Sequence, residues 1–414
     1  MQVFEGVKIA DFSWVMVGPT AARELAENGA TIVHVESHLY PDTSRVLGPF
    51  KDNKAAIDGS ACYAARNSNK YGISLNLKKS KGQEIARRLV EWADIVCESM
   101  SPGAMAKWGL DYEGCRKIKE DIIYFSTCQF GQTGPLSRYT GYGQLGAAYG
   151  GLSYVVGKKG EAPPQLYNNY PDFIAPPYIV ATVAAALLHR RKTGKGMYLD
   201  QSQVEAGASF MGPALLDYMV NKRIPEPDEN RDPYMAPHGI YPCRGDDRWV
   251  AITVGNEEEW GKFVAAIGKP ELETDPRFST VLCRKENEDE LDVIVGGWTQ
   301  GLTAEAIMQL LQRAGVPAGV VAEGEDLIND PQLACREHFI YLDHRVIGRH
   351  AYHAPAYRLS KTPHRIWKPA PCLGEDNHYV YTEILGFTDE EISTLTEEGV
   401  ITTQADLPTF KPYR

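Results

Sequence analysis

Short β-branched runs alternate with longer amphipathic stretches through the first two hundred residues. Residues 7–12 (VKIADF) form a compact apolar run and predict a strand. Residues 14–30 follow, with Gly18-Pro19 at the start and Gly29 at the end, the punctuation of a helix. Residues 31–37 (TIVHVES) are β-branched and predict a second strand. Strand, helix and strand within about 30 residues need a crossover connection, so parallel strands and a doubly wound sheet are expected. Residues 70–78, 95–100 and 122–130 predict three more strands. Residues 80–94 (SKGQEIARRLVEWAD) carry apolar positions at 85, 86, 89, 90 and 93, with Ser80 as the expected helix cap.

The most apolar stretch is NNYPDFIAPPYIVATVAAALLHRRKTGKG, residues 168–196. Its core, Ile174 to Leu188, is shorter than the roughly 18 residues that span a bilayer. A buried helix over 176–193, closed by Gly194 and Gly196, is predicted instead. Past residue 220 the texture changes to a proline- and charge-rich stretch (221–239), as in a linker. Then come a strand at 248–255, helices at 257–268 and 303–316, and a short strand within 317–324. The tail at 374–400 reads as helical and acidic, and no internal repeat is evident. A chain of 414 residues exceeds one average core, so a second, smaller domain is expected.

Composition narrows the function. A net charge of -11 argues against wrapping a nucleic-acid backbone. The opening MQVFEGVKIADF lacks the basic start and apolar run of a signal peptide. Eight scattered cysteines with no C-x-x-C pair fit reduced thiols in a cytoplasm. The ten histidines show no H-E-x-x-H spacing, so no metal site is expected, and those between His338 and His353 read as solvated loop residues. VGPTAARELAENGA is neither G-x-G-x-x-G nor a P-loop; Gly18-Pro19 reads as turn chemistry, on a topology whose strand ends still make a ligand crevice.

The chemistry concentrates on Asp172. Pro176 and Pro177 fit best in a first helical turn, which places the helix start near 174–176 and Asp172 in the turn before it. There the positive helix end would keep the carboxylate ionised, and an ionised carboxylate at an apolar crevice is a competent nucleophile. A plain helix cap is the bland alternative.

Several stretches together resemble the family III coenzyme A transferases, the formyl-CoA and carnitine CoA-transferase family. They are VKIADFSWVMVGPTAARELAENGATIVHVES, the segment NSNKYGISLNLKK through CESMSPGAMAKWGLDYE, GYGQLGAAYGGLSYVVG and PDFIAPPYIVATVAAALLHRRKTGKGMYLDQSQVEA. GVPAGVV, LINDPQL and PAPCLGEDN extend the likeness over nearly the whole chain. The resemblance implies an α/β fold: a Rossmann-like large domain from residues 1–220 and 326–414, an inserted α+β domain at 221–325, and an interlocked dimer. It makes Asp172 the nucleophile that passes through an acyl anhydride and an aspartyl-CoA thioester. It places CoA contacts at Val15, Val17, Arg45, Leu75, Lys78, Ala104, Lys107 and Tyr142, and Gly150 and Gly151 as oxyanion candidates. CoA enters as a thioester substrate, and no resident cofactor is implied.

Two departures steer the substrate. Met16 stands where formyl-CoA transferases carry glutamine, and their tetraglycine loop is missing. With Trp14, Met16 suggests a larger, more apolar acid than oxalate, as in the branch acting on aryl-substituted succinates such as benzylsuccinate with succinyl-CoA as donor. The α-methylacyl-CoA racemase branch has a histidine where this chain has Tyr142, and tyrosine is a poor base at neutral pH. A non-catalytic subunit of a hetero-oligomeric transferase is the other alternative, with Asp172 as the argument against it.

Overall fold

The computed structural model describes residues 1–164 and 169–408, so Asn168 lies outside the described residues. In chain order the first elements are β1 (Lys8–Phe12), α1 (Val17–Glu27), β2 (Thr31–Glu36), α2 (Ala61–Ala64), β3 (Lys70–Ser74), α3 (Ser80–Trp92) and β4 (Ile95–Glu98). Next come α4 (Tyr112–Ile118), β5 (Ile123–Cys128), α5 (Gly143–Tyr149), α6 (Pro171–Thr193), β6 (Met197–Ser202), α7 (Gln203–Phe210) and α8 (Gly212–Asn221). Six strands form one sheet in the order β3-β2-β1-β4-β5-β6, and every pairing is parallel. The strand order reverses between β1 and β4, so a crevice opens at their carboxyl ends.

Register explains the core. Ile9, Ile32, Ile95 and Ile123 align across four strands and face α1 and α6. Their neighbours Ala10, Val33, Val96 and Tyr124 face the other way, onto Ile85 and Leu89 of α3. Both faces are covered, which is why these strands read as unbroken apolar runs. Val380, Tyr381, Leu395 and Ile401 join the second of these clusters, so the C-terminal part of the chain packs with the sheet.

The described residues within Met1–Ser153, Gln165–Ile224 and Ala334–Arg414 form one compact unit. Tyr154–Pro164 and Pro225–Leu333 form the other, so the segment 154–164, expected in the large domain, belongs to the small one. Lys158 and Lys159 tie it there through Glu229 and Glu226. This unit holds an antiparallel sheet of β7 (His238–Pro242), β8 (Trp249–Thr253) and β9 (Ala318–Val320). Its core gathers Trp260, Phe263, Leu291, Ile307 and Leu311.

Three expectations are corrected. Ser80 does not cap α3: the cap position is Lys79, without a side-chain bond, because the first turn sits tight on the Asn76 loop that Gly82 abuts. The long helix α6 starts at Pro171 and runs 23 residues, with Pro176 and Pro177 inside it. By length and apolarity alone it would pass for a membrane span, and its Ala175, Ile179, Val183 and Ala186 are buried against the sheet. Of the four histidines in 338–353, His338 lies in a loop, whereas His344, His350 and His353 are strand residues. His344 and His353 lie in the hairpin of β10 (Phe339–His344) and β11 (Gly348–His353); His344 is buried and His353 bonds Arg23.

Candidate active site

Asp172 is the second residue of α6, inside the first turn and not before it. Pro171 needs no backbone donor at the first position, so the helix can start there. The cost falls four residues on: Pro176 and Pro177 supply no N–H to the carbonyls of Asp172 and Phe173. The side chain is only 5% exposed. Burial pushes its pKa up to about 7, against the opposing pull of Arg66 and a hydrogen bond with Asn169. The expected ionisation by the helix end is therefore overruled by desolvation, and the group sits poised near neutrality.

Glycines shape the pocket around it. A Cβ on Gly143 would overlap Asp172 Oδ2 and Asn169 Cβ, so only glycine admits the carboxylate there. Gly146 and Gly207 face the ring of Pro171 at van der Waals distance. Gln129, at the end of β5, reaches across with its Nε2 donating to the Tyr142 carbonyl at 3.2 Å, which fixes the start of α5. Asn169 adopts a left-handed φ of 47°, unusual for a residue other than glycine. The buried Oε1 of Gln129, which faces Gly141, and Oδ1 of Asn169, beside Asp172, have no hydrogen-bond partner among the described residues.

Gly150 faces the carbonyls of Gly146 and Val204, and Gly151 faces Met211. Gly143 is the glycine that abuts Asp172. Its signal was present in GYGQLG, where Gly143 and Gly146 recur at one-turn spacing. Arg66 had no such signal, because its influence on Asp172 joins chain segments far apart in sequence; Asn169, three residues before Asp172, is a local neighbour that the sequence reading passed over.

The first turn is strained. Val15 has φ of 75°, a cost for a β-branched residue that points to a structural purpose. Its N–H donates to both carboxylate oxygens of Asp42, at 3.0 and 3.2 Å. The Trp14 N–H donates to Ser99 Oγ, across the switch point, and its indole Nε1–H donates to the Val35 carbonyl. Met16 and the buried Val17 pack in the cluster to which α6 gives Ala175.

Beneath this turn lies a buried charge network. Burial would raise Asp11, yet Lys70 at 2.9 Å and His34 at 3.0 Å hold it well below the usual carboxylate range. Arg45 is fully buried and committed: it pairs with Glu36 and Asp58, bonds the Pro371 carbonyl and stacks over Tyr63. Arg45 is therefore buried beneath the surface and neutralised by carboxylates, so in this fold it presents no exposed donor to a CoA phosphate. His34, Glu36 and Asp42 bring possible metal-ligand atoms within 4.8 Å of one another. Arg45 occupies Glu36 and backbone N–H groups occupy Asp42, which makes this set a hydrogen-bond network among the described residues.

The remaining expected contacts sit along the carboxyl edge of the same sheet. Lys78, past the end of β3, is exposed and donates to Tyr40 Oη at 2.6 Å, while Leu75 is buried and can offer only its backbone. Ala104 and the exposed Lys107 follow β4. Their neighbours Met105 and Ala106 line a cavity of about 290 Å³ with Glu98, Asp111, Glu113 and Tyr198. Those carboxylates disfavour a phosphate inside it, so Lys107 would meet one only on the outer side. Tyr142 is exposed.

The family described as CoA-transferase family III matches residues 4–377. A succinyl-CoA–D-citramalate CoA-transferase of Chloroflexus aurantiacus is 29% identical over 96% of this chain and 98% of its own. The beta subunit of a succinyl-CoA–L-malate CoA-transferase from the same organism is 27% identical over 96% and 97%. A CAIB/BAIF family protein from Brucella suis superposes with a TM-score of 0.85 at 27% identity, over 92% of this chain and 99% of that one.

Proposed function

Because the chain belongs to CoA-transferase family III and is a CoA-transferase, we propose that Asp172 is its nucleophile, that succinyl-CoA is its donor, and that its acceptor is a dicarboxylic acid with an apolar body. The observation that carries the reading is the buried Asp172 carboxyl, held near neutrality and pressed against Gly143. A carboxylate that is half ionised at neutral pH is more basic, and so more nucleophilic, than an exposed one, and both forms are accessible during turnover.

The steps balance without a cofactor. An Asp172 carboxylate oxygen attacks the thioester carbonyl, the C–S bond breaks, and a mixed anhydride and CoA thiolate result. The thiolate attacks the Asp172 carbonyl carbon, releases the donor acid as carboxylate and leaves an aspartyl-CoA thioester. The acceptor carboxylate then attacks that carbon and expels the thiolate, which attacks the acceptor carbonyl and frees Asp172. The two relatives carry succinyl-CoA and a hydroxy diacid in their names, which supports the donor and acceptor class. Trp14 and Met16 at the first turn support an apolar acid body, as in an aryl-substituted succinate.

The CoA nucleotide would lie along the strand ends at Val15, Val17, Leu75, Lys78, Ala104 and Lys107. The working protein is proposed to be a cytoplasmic dimer. No residue of α8 is buried, and Val220 is 77% exposed, which supports a second chain covering this face. The beta-subunit relative supports a related chain as an alternative partner.

The test is chemical. Incubation with succinyl-CoA and no acceptor should build a covalent adduct, which hydroxylamine converts to a hydroxamate on residue 172. A racemase would exchange an α-proton with deuterium and form no adduct. A modified peptide that lacks residue 172, or deuterium wash-in with no modification, sinks the mechanism.

A further inference from the structure

Asn169 stands at the entry to α6. Its φ of 47° is left-handed, a region that asparagine tolerates better than most residues with a Cβ. In this turn its carbonyl accepts the Asp172 N–H at 2.8 Å. The side chains meet as well. Asn169 Cβ and Asp172 Oδ2 lie 2.4 and 2.3 Å from one and the same point, the place a Cβ on Gly143 would take. A side-chain hydrogen bond joins the Asn169 amide to the Asp172 carboxyl and favours its ionised form, so the amide Nδ2–H is the donor.

The amide has no competing structural task. The cap position of α6 is Tyr170, and no side chain caps the helix there. Asn169 Oδ1 is buried without a hydrogen-bond partner among the described residues, so nothing but Asp172 holds this amide. A buried acceptor left unpaired is costly, and a group kept at that cost calls for a function.

The chemistry needs a neutral donor at this spot. The CoA thiolate attacks Asp172 Cγ in the anhydride, and the C=O electron pair moves onto the carbonyl oxygen. Its return breaks the Cγ–O bond, and the donor acid leaves as carboxylate. The acceptor carboxylate later adds to the same carbon of the thioester, and charge develops on the same oxygen until the thiolate departs. An amide N–H can bond that oxygen as carboxylate, as acyl carbonyl and as oxyanion, and it bonds the concentrated charge of the oxyanion more strongly than the neutral carbonyl. We propose that Asn169 is a catalytic residue whose Nδ2–H stabilises the oxyanion formed on the Asp172 carboxyl at each of these steps. The proposal rests on the reading of Asp172 as nucleophile.

The experiment uses the full chain with succinyl-CoA as donor. Asn169→Gly and Asn169→Asp both suit the left-handed φ, so a conformational role alone predicts near wild-type turnover in them. The proposal predicts that Asn169→Gly lowers kcat, and the rate of adduct formation on residue 172, by about 100–1000-fold, the loss of one oxyanion donor. KM for succinyl-CoA should stay nearly unchanged, because the lost bond matters most in the transition state. The acid limb of kcat/KM should also move to higher pH, since a bond that favours the ionised carboxyl is gone while Arg66 remains. Asn169→Asp is closest in shape and has no donor when ionised, so it should be as slow. Wild-type turnover in either folded variant overturns the proposal. A loss through KM with an unmoved acid limb also overturns it and leaves Asn169 as part of the binding wall. Hydroxylamine labelling of residue 172 in the wild type, read in parallel, separates these failures from a failure of the nucleophile reading.

Discussion

At Asp172, burial and the nearby cation pull in opposite directions, and burial wins. The working form of a nucleophile is the carboxylate, so kcat/KM should fall about tenfold per pH unit below about 7. A profile flat from pH 5 to 8 would contradict the role. The stability consequence has the opposite sense. A carboxyl with a raised folded-state pKa gives stability that is full below its ordinary value of 3.8 and lost as pH rises through about 7. Asp172→Asn should therefore abolish transfer and still raise Tm at pH 8, with the gain shrinking toward pH 4. Its ceiling is about 4 kcal/mol, from the gap between 3.8 and about 7 at about 1.36 kcal/mol per pH unit. The phosphate-side lysines act more weakly. Lys78 and Lys107 are exposed, so Lys78→Ala and Lys107→Ala should each raise the thioester KM only about 3–10-fold, more at low salt. Unchanged KM in both, measured at low ionic strength, would remove them from the CoA site.

Among elements, α5 and the first turn bear the constraints that hold the site. Gly143 opens α5, where alanine would be favoured by about 1 kcal/mol on helix propensity alone. The overlap of its Cβ with Asp172 Oδ2 should outweigh that, because overpacking costs about 1–3 kcal/mol. Gly143→Ala is thus expected to lower both Tm and turnover; a more stable, fully active variant would show the contact to be soft. The turn at Val15 depends on Asp42, whose carboxylate accepts the N–H groups of Val15 and Ser44. Asp42→Ala orphans both donors and should cost about 2–4 kcal/mol by urea unfolding, with Asp42→Asn costing less because one acceptor oxygen remains. Equal stability of the two variants would mean that the strained turn needs no such support.

For the whole molecule, the open question with a physical handle is the apolar outer face of α8. Leu215, Leu216, Met219 and Val220 are all exposed on one ten-residue helix. If a second chain covers them, paired Leu216→Glu and Val220→Glu should convert a dimer to a monomer by light scattering and lower the Tm. A dimer unaffected by both charges would place the interface elsewhere.

The pattern of the chain determined the parallel sheet, because strands covered on both faces must be apolar throughout and crossovers must be helical. It also singled out Asp172 as the candidate, because one carboxylate beside so apolar a helix is conspicuous in one dimension. Resemblance added the family and the thiol carrier. What only the tertiary structure decided is the environment of that carboxylate. Its raised pKa comes from burial, with Gly143 of α5 packed against the carboxyl, a quantity with no local signal around residue 172. The same holds for Arg45, which reads as a free cation in sequence but is consumed by Glu36 and Asp58 once β2 and its following loop fold back. Gly143 went unremarked for a related reason: a glycine run shows that close approach is allowed, and only packing shows that Asp172 is what approaches Gly143. The helix start at Pro171 was misjudged because the cost of two unpaired carbonyls was weighed locally. In the fold, α6 also buries four side chains against the sheet, and that gain is set by tertiary contact rather than by the sequence around the prolines.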